Sequence, residues 1–142
     1  GCDMIHQLSP RHAAVIESLE MATFPDHAWN EQTIERRLKD GWGLAYILDG
    51  KTLAGYVICK TEGELTDIMR LGVHPSYQRQ GIGRKLLEAA KEKGAPHLLI
   101  CVNADNHHAR DMYLASGFIP TGSLKQDAST TLVLEQVRAS GA

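Results

Sequence analysis

The chain has few of the features that mark a disulfide-stabilised or membrane-spanning protein. Only three of its 142 residues are cysteines, at Cys2, Cys59 and Cys101, and no two of them have C-x-x-C spacing. An odd number of scattered cysteines favours a reducing compartment over a disulfide framework, so we expect a cytoplasmic protein. No apolar run approaches the roughly 20 residues of a membrane helix, and we expect neither a span nor a secretory leader.

An excess of charge of one sign is also lacking. The 15 Lys and Arg residues against 17 Asp and Glu residues give a formal net charge of −2, and 43% of the chain is hydrophobic. This balance gives no global reason to expect nucleic-acid binding. The apolar content suffices for one sizeable core but not comfortably for two. We therefore predict a single domain over residues 4–138, with Met4 as the native start and residues 139–142 as a loose tail.

Hydrophobic periodicity predicts the element order β-α-α-β-β-β-α-β-α-β-β. Ser9-Pro10 and Asn30 are start signals for the first two helices, and Gly41 is a stop signal for the second. Asp49-Gly50-Lys51-Thr52 predicts a hairpin turn. The predicted strands are Met4–Leu8, Leu44–Leu48, Leu53–Cys59, Glu64–Val73, Leu98–Val102, Phe118–Gly122 and Thr130–Gln136.

The loop at residues 74–85, between the fourth predicted strand and the third helix, is the most informative segment. The first backbone N–H groups of a helix lack intrahelical partners, and the helix dipole adds positive potential, so an anion is favoured there. Gly81 and Gly83 let the main chain approach a ligand without a Cβ in the way. Arg79 and Arg84 can add charge-assisted hydrogen bonds to phosphate oxygens. The loop therefore predicts a pyrophosphate site, the alternative being a plain strand-to-helix turn with glycines for geometry.

Two common phosphate motifs do not fit this loop. A dinucleotide-binding G-x-G-x-x-G would need glycine where Leu86 stands, and no G-x-x-x-x-G-K-[ST] run exists. Instead the loop carries Q-x-x-G-x-G, preceded by the run Leu71-Gly72-Val73-His74-Pro75. A second segment follows the fifth predicted strand as N-x-x-A-x-x-x-Y-x-x-x-G-F, formed by Asn106, Ala109, Tyr113, Gly117 and Phe118.

These two segments, in this order, resemble the two cofactor segments of the GNAT family of N-acetyltransferases. The chain is most similar to the branch that acetylates ribosomal-protein alanines and protein N-termini. The resemblance implies an α/β (α+β) fold with a mixed central sheet of six to seven strands, splayed in the middle and flanked by about four helices. It also implies acetyl-CoA as cosubstrate, no metal, and these cofactor contacts: Leu71, Gly72, Val73, Gln78, Arg79, Gln80, Gly81, Ile82, Gly83, Arg84, Asn106, Ala109 and Tyr113.

The resemblance also suggests how the chemistry is shared among side chains. Tyr113 is the candidate acid that faces the departing CoA sulfur. We expect it to stabilise the sulfur by hydrogen bonding as much as by full protonation, the alternative being that its side chain only packs. Asp67 is the first candidate base, because strand alternation predicts it on the same face as Met69 and Leu71. A salt-bridge or strand-end role for Asp67 stays open.

Cys101 stands where this branch often carries Glu or His, which makes a water relay an alternative to a side-chain base. No nearby base or lowered thiol pKa is visible for a nucleophilic role, so we expect a buried strand cysteine. His107 and His108 are neighbours on a helix without a partner ligand at i+4, so we expect them to be exposed and to bind no metal.

The segment at residues 20–29 resembles the F-P-x-x-W turn that borders the acceptor groove in the same branch. Phe24 and Trp29 are therefore candidate substrate contacts, the alternative being that they anchor the core. An α-amine has a pKa of roughly 7.7–8 and is about one-tenth neutral at pH 7, whereas lysine is neutral less than one part in a thousand. A chain without a clear base therefore favours a protein or peptide N-terminal amine.

Two other functions remain open from sequence alone. One is acetylation of a small amine, such as a polyamine, an amino acid or an antibiotic. The other is a non-catalytic module that binds CoA. The expected partners are an amine acceptor but neither nucleic acid nor membrane, and the oligomeric state can be monomer or homodimer.

Overall fold

The computed structural model describes residues 2–138, and the predicted order of elements is confirmed there. The predicted tail at residues 139–142 lies outside the described residues. Several strands, such as β3 and β6, run a few residues further than predicted. The strands are β1 Met4–Leu8, β2 Trp42–Leu48, β3 Thr52–Glu62, β4 Leu65–Val73, β5 His97–Asn103, β6 Ile119–Gln126 and β7 Ser129–Val137, and the helices are α1 Ala13–Thr23, α2 Glu31–Asp40, α3 Ile82–Lys93 and α4 His107–Ala115.

The predicted start and stop signals of α2 are confirmed, whereas Ser9-Pro10 begins a short 3-10 helix, Pro10–His12, that precedes α1. The side chain of Asn30 accepts a hydrogen bond from the Thr33 backbone N–H, and the chain leaves α2 at Gly41. Asn106 caps α4 in the same way, accepting from the Ala109 N–H. No helix among the described residues is long and apolar enough to cross a membrane.

All seven strands form one mixed sheet in the order β1-β2-β3-β4-β5-β7-β6. Neighbouring strands are antiparallel except for β4 and β5, which run parallel. The β4–β5 pairing covers only Leu65–Ile68 against His97–Ile100. Beyond Ile68, β4 continues to Val73 while paired only with β3. The predicted splay in the middle of the sheet is therefore confirmed, and it leaves one edge of β4 without a strand partner.

The two faces of the sheet are covered differently. One core cluster joins α3 and α4 to the sheet, with Leu86 and Tyr113 among its members. The other joins α1 and α2 to β1–β4, around Ile16 and Ile34. No residue of β5, β6 or β7 belongs to this second cluster, so β5 and β7 pack against helices on one face only, and the residues of β6 are all exposed.

This unequal cover corrects the expectation for Cys101. Leu98, Ile100 and Val102 of β5 are buried in the α3/α4 cluster, but the Cys101 side chain points to the uncovered face and is exposed. The prediction of a buried strand cysteine is therefore wrong. Burial depends on whether a helix lies above that face, which the apolar composition of β5 does not reveal.

The face assignment of β4 also needs correction. Arg70 pairs with Ile58 and Ile68 pairs with Cys59, which leaves Met69 as an extra residue in β4. Such a bulge interrupts the alternation of side chains. Met69 accordingly packs with the α1/α2 cluster and Leu71 with the α3/α4 cluster, so the prediction that Met69 and Leu71 share a face is wrong.

Candidate active site

A cavity of about 640 Å³ opens where β4 and β5 diverge. It brings together most of the residues that the sequence singled out. It is not lined by Gln80, Trp29 or Asp67. The predicted residues that line it are Phe24, Leu71, Gly72, Val73, Gln78, Arg79, Gly81, Ile82, Gly83, Arg84, Asn106, Ala109 and Tyr113.

Sequence reasoning missed four lining residues: Thr23, Tyr77, His108 and Met112. Each is a near neighbour of a predicted residue, on the end of α1, in the loop after β4 or on α4. His107 and His108 are exposed as expected, and no group of three or more potential metal ligands occurs within residues 2–138.

The two glycines of the loop between β4 and α3 have different physical roles. Gly81 is the N-cap of α3 with a φ of +81°, a left-handed conformation that favours glycine, and a Cβ there would meet nothing within 4 Å. A Cβ on Gly83 would lie 3.3 Å from the Met112 sulfur and 3.6 Å from the Val73 side chain. Gly81 therefore shapes the turn, and Gly83 allows the first turn of α3 to pack closely against α4 and β4.

Hydrogen bonds within the loop hold its shape. The side-chain amide of Gln78 donates to the Val73 carbonyl at 3.0 Å. The backbone N–H of His74 donates to the Ala54 carbonyl at 2.8 Å, and its ring accepts from the Ser76 N–H at 3.0 Å. Gln78, predicted as a cofactor contact, thus also braces the loop from inside.

The cavity has the features that a CoA diphosphate and pantetheine arm require. The N–H groups of Gly83 and Arg84 lie in the first turn of α3, where intrahelical partners are lacking. The side chains of Arg79 and Arg84 are exposed beside them. The edge of β4 at Leu71–Val73 has no strand partner and offers backbone groups to an amide-containing chain, except for the Val73 carbonyl that Gln78 already occupies.

Tyr113 is a buried residue of α4 that lines the cavity. Its ring packs edge-on against Phe118 with centroids 6.1 Å apart, and burial raises the pKa of Tyr113 to about 12. No other side chain or backbone group among residues 2–138 hydrogen-bonds this hydroxyl. Tyr113 is therefore a neutral hydroxyl that remains free to donate to a ligand.

Asp67 lies on β4 outside the cavity lining. It is half-buried, and this burial raises the pKa of its carboxyl above the ordinary value, with the positive charge of Arg37 opposing the effect. Partial burial of the Cys101 thiol raises its pKa, and the negative charge of Asp67 raises it further by a smaller amount. No carboxylate from residues 2–138 lines the cavity itself.

A buried carboxylate that sequence reasoning did not single out organises one wall of the cavity. Glu20 accepts two hydrogen bonds from the Arg70 guanidinium, at 2.8 and 2.7 Å, and a third from the Trp29 backbone N–H at 2.8 Å. The Tyr56 hydroxyl donates to the same carboxylate. The Arg70 guanidinium carbon lies 4.2 Å from the Phe24 ring centroid and 4.9 Å from that of Trp29.

This network explains the positions of the two aromatic candidates. Phe24 reaches the cavity, whereas Trp29 packs behind it with the α1/α2 cluster. A Cβ on Gly72 would lie 2.9 Å from the Tyr56 hydroxyl and 3.0 Å from the Phe24 ring, so only glycine permits this close packing on β4. The available sequence signal was Glu20 itself, a charged residue four positions after Ile16 on the buried face of α1.

Comparison with known proteins agrees with the resemblance found in the sequence. The model of the acetyltransferase (GNAT) family matches residues 11–118. The L-amino acid N-acyltransferase MnaT of Escherichia coli is 25% identical over 149 residues, covering 84% of each chain. The ribosomal protein bS18-alanine N-acetyltransferase of Escherichia coli is 28% identical over 94 residues, which cover 63% of this chain and 64% of that protein.

Solved structures show the same fold. The ribosomal-protein-S18-alanine N-acetyltransferase from Escherichia coli superposes with a TM-score of 0.88 at 21% identity, covering 99% of this chain and 97% of that one. The PaiA N-acetyltransferase from Thermoplasma acidophilum, solved in complex with coenzyme A, superposes with a TM-score of 0.79 at 18% identity, covering 96% and 99%.

Proposed function

Because the chain belongs to the acetyltransferase (GNAT) family, we propose that it transfers an acetyl group from acetyl-CoA directly to the N-terminal amine of a protein or peptide. The observation that carries this proposal is the composition of the cavity. One cleft combines a phosphate-type loop, the free edge of β4 and a neutral tyrosine hydroxyl, and within residues 2–138 no carboxylate lines it.

The loop and strand residues would bind the cofactor. The N–H groups at the start of α3, with Arg79 and Arg84, bind the diphosphate. The backbone of Leu71–Val73 binds the pantetheine arm and polarises the thioester carbonyl. Acetyl-CoA supplies an activated acyl group, and the protein holds its carbonyl carbon within reach of the acceptor nitrogen.

A cavity that no carboxylate of the described residues lines supports an acceptor that is already neutral. A carboxylate beside the amine would stabilise its protonated, unreactive form. An N-terminal amine has a pKa of roughly 7.7–8, so about one-tenth of the molecules are neutral at pH 7 and no strong base is needed. Its lone pair attacks the thioester carbon, the carbon–sulfur bond breaks, and the surplus proton passes to water or through water to Asp67.

Tyr113 would stabilise the leaving group. Its hydroxyl donates a hydrogen bond to the sulfur as negative charge develops there.

The relative that acetylates a ribosomal-protein alanine supports an N-terminal amine as the class of acceptor. We propose the reducing cytoplasm as the compartment, since the three cysteines are free.

A small-molecule amine is the second candidate acceptor. The specific observation in its favour is the likeness to an L-amino acid N-acyltransferase, which extends over 84% of this chain. Free amino acids also carry an α-amine, although the neighbouring carboxylate raises its pKa, so fewer molecules are neutral at pH 7.

A panel of acceptors separates these functions. The purified protein is incubated with acetyl-CoA and, in turn, a peptide with a free N-terminal alanine, the same peptide with a blocked N-terminus and an internal lysine, and free alanine. Released thiol gives the rate, and mass spectrometry locates the acetyl group. We expect acetylation of the free N-terminus and none of the blocked peptide.

Other results would change the conclusion in defined ways. Turnover with free alanine but not with the peptide would favour the small-molecule acceptor. Binding of CoA in calorimetry without transfer to any amine would indicate a non-catalytic module. Absence of CoA binding would remove the basis of the proposal.

A further inference from the structure

The α1–α2 connection, residues 24–30, contains no helix or strand, yet it supplies part of the cavity wall through Phe24. Apart from Thr23 at the end of α1, the other lining residues come from β4, α3, α4 and the loops that precede these two helices. The proposed cofactor contacts all belong to those elements. This leaves the Phe24 ring as a side of the cavity that is available to the acceptor.

Arg70 of β4 holds the α1–α2 connection from the side of the sheet. Its Nη2 donates to the His27 carbonyl at 2.9 Å. Its guanidinium carbon lies 4.2 Å from the ring centroid of Phe24 and 4.9 Å from that of Trp29, so one planar cation contacts both rings. Within residues 2–138, no other hydrogen bond joins the connection to the sheet. The place of the connection therefore depends on this one side chain.

The Arg70 guanidinium is itself fixed by a buried carboxylate. Its Nε and Nη2 donate to the two carboxylate oxygens of Glu20 at 2.8 and 2.7 Å, and the Glu20 side chain is fully buried. A two-pronged pair of this kind restricts the orientation of both groups. A lysine ammonium is a point charge on a flexible stem, so it cannot form the same pair while it also packs flat against two rings. The arrangement therefore requires arginine.

From these contacts we propose that Arg70 is a positioning residue for the acceptor, because it keeps the Phe24 ring at the cavity, where the ring contacts the acceptor. Arg70 does not line the cavity, so it acts through Phe24 and not by touching a ligand. A protein whose binding conformation is only partly populated binds its ligand more weakly, in proportion to that population. The inference rests on the proposed function and states how one side of its acceptor site is kept in place.

Arg70→Lys removes the planar guanidinium and keeps the charge. Steady-state rates are measured with the free N-terminal peptide, or with free alanine if the wild type prefers it, and CoA binding is measured by calorimetry. We expect KM for the amine to rise by roughly 10-fold, because the α1–α2 connection must then be ordered when the amine binds. The values of kcat and of CoA affinity should stay within about 2-fold of wild type, since Tyr113 and the cofactor loop are unchanged.

A double-mutant cycle tests whether Arg70 acts through Phe24. Phe24→Ala should raise KM for the amine, and adding Arg70→Lys to that variant should raise KM no further, because two residues that act through one contact are not additive. Tyr56→Phe is the matched control, since it removes another hydrogen bond to Glu20 but leaves the guanidinium against both rings. It should keep KM for the amine within about 2-fold of wild type.

Trp29 gives a readout that does not depend on activity. The chain has two tryptophans, so Trp42→Phe leaves Trp29 as the only one. In this background, Arg70→Lys should shift the fluorescence of Trp29 to longer wavelength and increase its quenching by acrylamide, because a loosened connection exposes the indole to water. Tyr56→Phe should change neither property. An unchanged spectrum in Arg70→Lys would show that Arg70 does not hold the connection.

Several kinetic outcomes overturn the inference while leaving the proposed function intact. They are a wild-type KM in Arg70→Lys, a loss that falls on kcat or on CoA affinity, additive effects in the cycle, and an equal rise of KM in Tyr56→Phe. If Arg70→Lys does not fold, the double variant Glu20→Gln/Arg70→Gln removes both charges, leaves neither unpaired and should show the same rise of KM. If the wild type acetylates neither acceptor, the proposed function fails and this inference fails with it.

Discussion

The Tyr113 hydroxyl is neutral over the whole range in which a thioester is stable, and this limits its role. Burial raises its pKa to about 12, whereas a thiol has a pKa of roughly 8.5. Complete proton transfer from the tyrosine to a thiolate is therefore uphill by several kcal/mol. A hydrogen bond to the developing thiolate is the contribution that remains, and it needs no change of protonation in the protein.

Removing the hydroxyl tests this role. We expect Tyr113→Phe to lower kcat by about 10- to 100-fold, the range for a hydrogen bond to a charged group, with CoA affinity unchanged. The pH profile of kcat between 6 and 9 should keep its shape, because Tyr113 does not titrate there. Tyr77→Phe, another tyrosine of the same cavity, is the control for loss of a hydroxyl. Wild-type turnover in Tyr113→Phe would leave the residue with a packing role only.

Asp67 combines a charge with partial burial. Because burial raises its pKa in the folded protein, the unfolded chain releases this proton more readily than the folded one. The free-energy cost to folding is absent at pH values below the pKa of the unfolded chain, near 3.8. It is fully present at pH values above the raised pKa of the folded protein. Ionised Asp67 therefore destabilises the fold at neutral pH.

We expect Asp67→Asn to raise the melting temperature at pH 7 and to lose that advantage in acid, below the unfolded pKa. Thermal unfolding from pH 3 to pH 7 measures this difference, with the exposed Asp111→Asn as control. The same substitution should lower the pKa of the Cys101 thiol, seen as alkylation of that cysteine at lower pH. A lower melting temperature of Asp67→Asn at pH 7 would mean that the carboxylate has a stabilising partner.

At the scale of elements, the loop between β4 and α3 depends on backbone conformation more than on side-chain contacts. Arg79 and Gly81 both have positive φ values, +65° and +81°. The turn directs the first N–H groups of α3 toward the cavity, and the side chain of Gln78 holds it to the end of β4. A change of one dihedral angle would redirect these donors away from a common point.

Two glycines with similar φ values allow a test of whether the backbone conformation of this loop matters for binding. Gly81 in the loop and Gly50 in the β2–β3 hairpin have φ values of +81° and +73°, and a Cβ on either would meet nothing within 4 Å. We expect Gly81→Ala and Gly50→Ala to cost about 1–2 kcal/mol of stability each, the cost of a left-handed conformation for alanine. Only Gly81→Ala should weaken CoA binding, by about 10-fold or more in calorimetry. Equal CoA affinity in the two variants would contradict the role of the loop.

For the molecule as a whole, Glu20 joins parts that are distant in sequence. Its carboxylate links α1 to Tyr56 on β3, to Arg70 on β4 and to the Trp29 backbone before α2. The bond to Arg70 spans 50 residues of sequence. This buried pair therefore holds the α1–α2 connection, which carries Phe24 at the cavity, against the centre of the sheet.

Removing the charge of Glu20 should be costly. We expect Glu20→Gln to lower the free energy of unfolding by about 3 kcal/mol, because it leaves the Arg70 guanidinium without a charged partner. Glu35→Gln, which removes the partner of Lys39 in an exposed helix pair, should cost no more than about 0.5 kcal/mol. Chemical denaturation of both variants gives the two values. A similar small loss in both would show that the network stabilises the fold no more than a surface pair.

The sequence alone determined the order of the elements and the place of the glycine-containing loop between β4 and α3. These properties follow from signals between near neighbours along the chain. Periodicity distinguishes strand from helix, Asn30 and Asn106 hydrogen-bond N–H groups three residues on, and Gly81 permits a backbone conformation at its own position. Interactions of this kind need no knowledge of what lies on the other side of the sheet.

Only the tertiary structure decided the exposure of Cys101, the break in alternation at Met69 and the partnership of Glu20 with Arg70. Each depends on which face of the sheet a helix covers, or on groups that meet across long separations in sequence. Burial and pairing are properties of the assembled layers, because the free energy of a side chain depends on the neighbours that folding brings to it.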